Sequence, residues 1–215
     1  MNKFEQDQII ILKKTEYSEQ HYIVNAYGYK LGNFSFKAPY SRKITSYKMA
    51  HLNELNITQG QFYLGSKYYS LQNSQNTKFA SIKLDLLGLS LKDLICDFLW
   101  KNLPEADPTL WKLLNYLNQA QNYNGKQLLI FMSKFLQQQG LLTDHPKLPK
   151  TIRFYLHNDN YEFNEKLKLN SEDCKKSWEI LQNIAINQLN YQVPKNIKNI
   201  LAGLNIFPTR WQPTL

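Results

Sequence analysis

The spacing of apolar residues changes near residue 80, and this change limits the folds that the 215-residue chain can adopt. Before that point apolar residues alternate or form short runs, as at residues 8–13 and 20–27, which indicates strands. After it they recur at intervals of three and four, which is typical of amphipathic helices. The sequence therefore predicts a β part followed by an α part.

The first part has the strand pattern of a small barrel. Residues 8–13, 20–27 and 30–37 are predicted strands, and Gly28-Tyr29-Lys30 is predicted as a tight turn. A run at residues 52–57 also suits a strand, although its register is uncertain, and a hairpin-like turn at Gly65-Ser66-Lys67 follows. Five strands with short connections predict an antiparallel barrel over residues 1–80.

The second part, residues 81–215, is predicted to be a helical bundle. Ser90 and Asp107-Pro108 are start signals for the first two helices, and a third helix is bounded by Gly125 and Gly140. Residues 144–169 are looser, and a small hairpin is predicted from the runs at 152–156 and 161–163. Ser171 is expected to cap a further helix, and a last helix is expected over residues 195–204.

Several classes of protein are excluded by what the sequence lacks. The two cysteines, Cys96 and Cys174, are far apart, so neither a zinc ribbon nor a disulfide scaffold is expected, and Cys96 is interpreted as a core residue. His21 and His51 lie in strand-like segments and have no metal-ligand spacing. No phosphate-binding glycine loop or catalytic motif occurs, so we expect neither an enzyme, a metal nor a cofactor. The absence of a signal peptide or long apolar stretch predicts a cytoplasmic protein with no membrane segment.

The excess of basic residues suggests a polyanionic partner. The chain has 26 Lys and Arg against 17 Asp and Glu, a net charge of +9. An alternative is codon bias, because the abundant Lys, Asn, Ile and Tyr all have AT-rich codons.

One segment, residues 37–48, combines four cations with two tyrosines and contains no acid. Cations can follow the phosphates of a single strand while tyrosines stack on its bases, and the alternative is a solvated loop. The predicted DNA-binding residues are Lys37, Tyr40, Arg42, Lys43 and Lys48.

The order of several short motifs resembles RecO, the bacterial recombination mediator. The motifs are Tyr17-Ser18-Glu19, Gly28-Tyr29-Lys30-Leu31, Phe36-Lys37-Ala38-Pro39, Ser41-Arg42-Lys43, the run 103–108, Gly140-Leu141-Leu142 and Pro208-Thr209-Arg210. The chain departs from the family in having Lys-Ala where the family has Lys-Gly. It also lacks the four-cysteine module common in the family, which argues against a bound zinc.

The resemblance implies an OB-type barrel followed by a helical domain, with no bond-breaking chemistry. RecO proteins bind single- and double-stranded DNA, anneal complementary strands and help load recombinase together with RecR. They also bind the acidic C-terminal tail of single-stranded DNA-binding protein. Of the predicted site residues, only Lys37 and Arg42 match the family's basic loop. Two alternatives remain, an RNA- or tRNA-binding OB module and an enzyme acting on nucleic acid through an unrecognised site.

Overall fold

The computed structural model describes residues 4–39, 50–65, 68–80, 86–103, 105–119, 125–142, 147–157 and 170–191. Its five strands are β1 (Phe4–Ser18), β2 (His21–Gly28), β3 (Gly32–Pro39), β4 (Ile57–Leu64) and β5 (Tyr69–Lys78). Its helices are α1 (Leu86–Asn102), α2 (Pro108–Gln119), α3 (Gly125–Gln138), α4 (Lys150–His157) and α5 (Ser171–Leu189).

The strands close into a barrel in the order β1-β2-β3-β5-β4. The β3–β5 pair is parallel, and the other pairs are antiparallel. A closed five-stranded barrel with this strand order is of the OB type, so the predicted barrel is confirmed, whereas the prediction that its strands are antiparallel is wrong at the β3–β5 pair. β1 is long enough to pair with both β2 and β4, and it bends at irregularities after Ile11 and Glu16.

Alternation along the strands fills the barrel with apolar side chains. Since successive side chains point to opposite faces of a strand, every second residue faces inward. Two phenylalanines, Phe36 and Phe62, lie at the centre with their ring centroids 5.0 Å apart. The buried cluster consists of Ile9, Ile11, Val24, Ala26, Phe36, Ala38, Leu52 and Phe62.

The predicted strand at residues 52–57 is wrong over most of its length. Residues 51–55 form turns and a bend, Leu55 has a φ of 63°, and β4 begins only at Ile57. The three-residue interval between Leu52 and Leu55 lets both side chains become buried from a turn, which a strand period would not allow. His51 therefore lies in a turn rather than in a strand, buried with its Nδ1 3.4 Å from Ser74 Oγ.

The first compact unit comprises Met1–Ser81 together with Cys96–Gln121, so the end of α1 and all of α2 pack with the barrel. The buried Tyr27 hydroxyl donates to the Glu105 carbonyl and accepts from the Asp107 N–H, both at 2.9 Å. The Tyr27 ring stacks on Trp111 with a centroid separation of 6.4 Å. The division predicted from sequence, 1–80 and 81–215, follows secondary structure, whereas the contacts join these helical residues to the barrel.

The second unit comprises Ile82–Ile95 and Asn122–Leu215, in which α3 packs against α4 and α5. α3 ends at Gln138, and Gly140, the predicted stop signal, lies two residues beyond with a φ of 70°. The N-cap of α5 is Asn170 rather than Ser171, because the Asn170 side chain accepts the Asp173 N–H at 2.7 Å.

The first half of the hairpin predicted at residues 152–156 and 161–163 is wrong. Residues 152–156 lie in helix α4, where Ile152 and Leu156 are buried at the four-residue spacing of a helix. The other half of the hairpin, 161–163, and the last predicted helix, 195–204, lie outside the described residues. Among the helices described, none combines the length and apolar character needed to cross a membrane.

Candidate nucleic-acid interface

The barrel topology places the β1–β2 turn, the last residues of β3 and the β4–β5 connection at the same end of the barrel. Ser18 pairs with His21, and His21 pairs with Pro39, so the β1–β2 turn lies beside the end of β3. Leu64 pairs with Tyr69 at the β4–β5 connection, and β5 enters beside β3 at Phe36. In OB folds the β2–β3 face and these two connections are where oligonucleotides and oligosaccharides bind.

Three side chains meet at this end and form the Tyr–Lys–Tyr cluster (Tyr17, Lys37 and Tyr68). Lys37 Nζ lies 5.2 Å from the ring centroid of Tyr17 and 5.2 Å from that of Tyr68. Both distances are within the range of a cation–π contact, about 6 Å. The two tyrosines remain 60% and 39% exposed. The cluster thus presents two accessible rings with an ammonium group between them.

The rest of the outer β2–β3 face is less accessible. Tyr27 is fully buried against Trp111, and Asn25 is buried where its Oδ1 accepts the Ser35 hydroxyl at 2.6 Å. α2 therefore covers the part of the face near the β2–β3 turn. Of this face, as far as the described residues form it, the end with the Tyr–Lys–Tyr cluster is the more exposed part.

The β2–β3 turn is held by a buried carboxylate. Asp7 in β1 is 2% exposed and accepts the backbone N–H groups of Gln8, Lys30 and Leu31 at 2.8–3.1 Å. Burial raises the pKa of the Asp7 carboxyl, although the three backbone hydrogen bonds oppose this shift. Asp7 therefore supports the hairpin formed by β2 and β3, the hairpin that carries Lys37.

The predicted site residues are only partly within the described chain. Lys37 lies in β3 and belongs to the cluster. The other four lie outside the described residues, beyond Pro39 at the end of β3, and their role stays a prediction; they are Tyr40, Arg42, Lys43 and Lys48.

The two tyrosines of the cluster were not among the residues predicted to form the site. Tyr17 precedes one turn, and Tyr68 follows another, about fifty positions later. Their positions next to turns were visible, but the proximity of the two turns depends on the parallel β3–β5 pairing. The RecO resemblance already implies an OB-type barrel, in which the β1–β2 and β4–β5 connections form the binding end, so exposed rings beside these two turns were the signal that could have pointed to Tyr17 and Tyr68.

Among the residues with described positions, no three His, Cys, Asp or Glu side chains could share a metal ion. Cys96 is buried in α1, as predicted for a core residue. The groups that the cluster presents, two phenol rings and an ammonium group, can stack, form hydrogen bonds and pair with anions.

The fold and the cluster together define an OB-type barrel with an exposed cation–aromatic site, accompanied by helices. No known family model matches the chain, and no curated protein is significantly similar to it.

Proposed function

We propose that this protein binds single-stranded DNA at the Tyr–Lys–Tyr cluster and acts as a recombination mediator of the RecO type. The observation that carries the proposal is the placement of Lys37 between two exposed tyrosine rings at the usual ligand-binding end of an OB-type barrel. The motif order given above supports the assignment to recombination, and the barrel followed by helices is consistent with it.

The cluster has the two kinds of contact that a single strand needs. Each exposed tyrosine ring can stack on an unpaired base, which contributes about 1–3 kcal/mol per base. The Lys37 ammonium can pair with a phosphate and release a counterion. Bases in a duplex are already stacked and paired, so their faces are not open to the rings. The cluster should therefore bind single strands more tightly than duplex DNA.

The proposed activities are strand annealing and help in loading recombinase, with RecR and the acidic tail of single-stranded DNA-binding protein as partners. The net charge of +9 favours both a nucleic acid and an acidic peptide. A pull-down with the tail peptide is expected to capture the protein. Deleting the terminal apolar residue of the peptide should abolish the capture.

Fluorescence anisotropy with a labelled single strand, the matching duplex and a tRNA tests the nucleic-acid assignment. We expect the single strand of DNA to bind most tightly, and complementary strands to anneal faster when the protein is added. Tighter binding of tRNA would favour an RNA-binding module instead. Cleavage of any of the three in the presence of divalent metal would show an enzyme.

The cluster itself is tested by Tyr17→Ala and Tyr68→Ala. Each should weaken single-strand binding about fivefold or more, since each removes one stacking ring. Tyr29→Ala is the matched control, because Tyr29 is 46% exposed but contacts Trp111 on the part of the barrel covered by α2. Equal losses for all three variants would contradict a site at the cluster.

A further inference from the structure

A second surface of the barrel is covered by amide side chains. Pairing of β1, β4 and β5 places Gln6 beside Gln61 and Gln61 beside Asn73 in one row. A second row lies two residues away on each strand, where Gln59 pairs with Gln8 on one side and with Gln75 on the other. The amide face consists of Gln6, Gln61 and Asn73 with Gln8, Gln59 and Gln75.

The six amides point away from the barrel interior. Their neighbours in β1 and β4, among them Ile9 and Phe62, belong to the buried core, and alternation turns the amides outward. Gln6, Gln8, Asn73 and Gln75 are exposed, and the two central glutamines are partly exposed. None of the six carries a charge, in a chain in which 20% of the residues are charged. The face therefore offers hydrogen bonds without attracting phosphates.

The amide face is continuous with the Tyr–Lys–Tyr cluster. Lys37 pairs with Ser70, Ser70 pairs with Tyr63, and Tyr63 pairs with Phe4, in one row across β3, β5, β4 and β1. Along the curved surface of the barrel, the two ends of this row are three strand spacings apart, about 14 Å. The row ends in the ring pair of Phe4 and Tyr63, whose centroids are 5.7 Å apart, and Phe4 is 53% exposed. The first amide row lies directly beside it.

We propose that the amide face contacts the bases of the bound single strand and gives the protein a preference for adenine. The inference rests on the proposed function, because the strand reaches this face from the cluster. A carboxamide presents a donor and an acceptor side by side, and Asn or Gln pairs in this way with N6 and N7 of adenine. The Phe4–Tyr63 pair adds a stacking surface at the edge of the amides.

Homopolymers of deoxyadenosine, deoxythymidine and deoxycytidine of equal length, measured by anisotropy at several salt concentrations, test the inference. We expect the adenine strand to bind most tightly. The double variant Gln61→Ala/Asn73→Ala should lose about fivefold or more for the adenine strand and little for the other two. The salt dependence should stay unchanged because no charge is removed.

Two further variants make the comparison sharper. Gln6→Ala/Gln8→Ala removes the β1 amides and should give the same adenine-selective loss, so the result does not depend on one pair of residues. Gln119→Ala, an exposed amide of α2, should leave all three affinities unchanged. Thermal unfolding of every variant checks that the barrel still folds.

The outcomes separate this inference from the proposed function. Equal binding of the three homopolymers, or equal losses for all of them in the amide variants, would overturn the amide face as a base-reading surface. The cluster would still stand if Tyr17→Ala weakened binding. Failure to bind any strand would overturn the proposed function as well. A change of oligomeric state in the amide variants, without a change in adenine preference, would assign the face to self-association and overturn the inference.

Discussion

Individual buried polar groups hold the barrel in the shape that its site requires. Asp7 is the clearest example, since its carboxylate supports the β2–β3 turn from inside the barrel while burial raises its pKa. A carboxyl whose folded pKa is raised stabilises the fold when it is protonated. The Asp7 contribution is therefore complete below the ordinary value of 3.8 and is lost as the pH rises through the raised folded value.

Asp7→Asn tests this pH dependence. The variant cannot titrate, so the free energy of unfolding of the natural protein minus that of the variant should fall as the pH increases from below 3.8. Urea unfolding at a series of pH values measures both free energies. The contributions of the other carboxyls are common to the two proteins and largely cancel in the difference. A difference that grows with pH would mean that the three backbone hydrogen bonds outweigh burial.

Tyr27 is a second buried polar residue that stabilises the barrel, in this case through its hydroxyl. Tyr27→Phe removes the hydrogen bond to the Glu105 carbonyl and leaves the Asp107 N–H without its acceptor. We expect a loss of about 1–3 kcal/mol in the free energy of unfolding, measured with urea. Burial raises the pKa of Tyr27 to about 12, so the hydroxyl stays a donor throughout the physiological range. Tyr29→Phe, at an exposed ring, should have little effect and is the control.

At the scale of the strands and helices, the connections decide where each element begins. Gly32 opens β3 with a φ of 66°, and a Cβ there would lie 2.6 Å from the backbone nitrogen of Ala106. The absence of a side chain at Gly32 therefore lets the β2–β3 hairpin pack closely against the residues before α2. A side chain at this position would meet both a backbone strain and a steric clash.

Gly32→Ala and Gly140→Ala separate the two effects. Gly140 has a similar φ of 70°, but apart from its chain neighbours no atom of the described residues lies within 4 Å of a Cβ placed there. Gly140→Ala should therefore cost only the strain of a left-handed residue, about 1–2 kcal/mol. Gly32→Ala should cost clearly more, as measured by chemical unfolding. Equal costs would show that the residues before α2 move aside without penalty.

The same elements show what local patterns can and cannot predict. Alternation predicted β2 and β3 to within a few residues because one face of each strand is buried. Residues 152–156 were predicted as strand because an isoleucine, two aromatics and a leucine also suit a strand, whereas the structure buries Ile152 and Leu156, four residues apart, on one side of a helix that packs against α3. The contact of Tyr27 with Asp107 spans eighty residues, and no local period contains it.

Only part of the candidate nucleic-acid interface could be predicted from the sequence, because the interface depends on the whole barrel. Lys37 was identified because a cation-rich segment follows an alternating strand. Tyr17 and Tyr68 were not identified, because only barrel closure brings the two connections to one end. Charge and composition could indicate a polyanionic partner, but the choice between stacking and charge pairing depends on which rings stay exposed.

The salt dependence of binding separates the contribution of charge pairing from that of stacking. Replacing Lys37, Arg42, Lys43 and Lys48 by Ala should reduce the slope of log affinity against log salt by about 2–3, since each phosphate contact contributes about 0.7 on single strands. The loss of affinity should be similar for every sequence. Tyr40→Ala should instead lower affinity while leaving the slope almost unchanged. If the quadruple variant kept both its affinity and its slope, the basic segment would have no part in binding.

The double pairing of β1 also has a consequence for how the chain folds. β1 pairs with its sequence neighbour β2, but its first residues pair with β4, so that Phe4 meets Tyr63 and Ile10 meets Ile57. Closing the barrel therefore requires about fifty residues of chain to be looped before the β1–β4 ladder contributes any stability. Chains dominated by such distant pairings fold in milliseconds to seconds rather than microseconds. The step that joins β1 to β4 should thus limit the rate at which the binding end of the barrel is assembled.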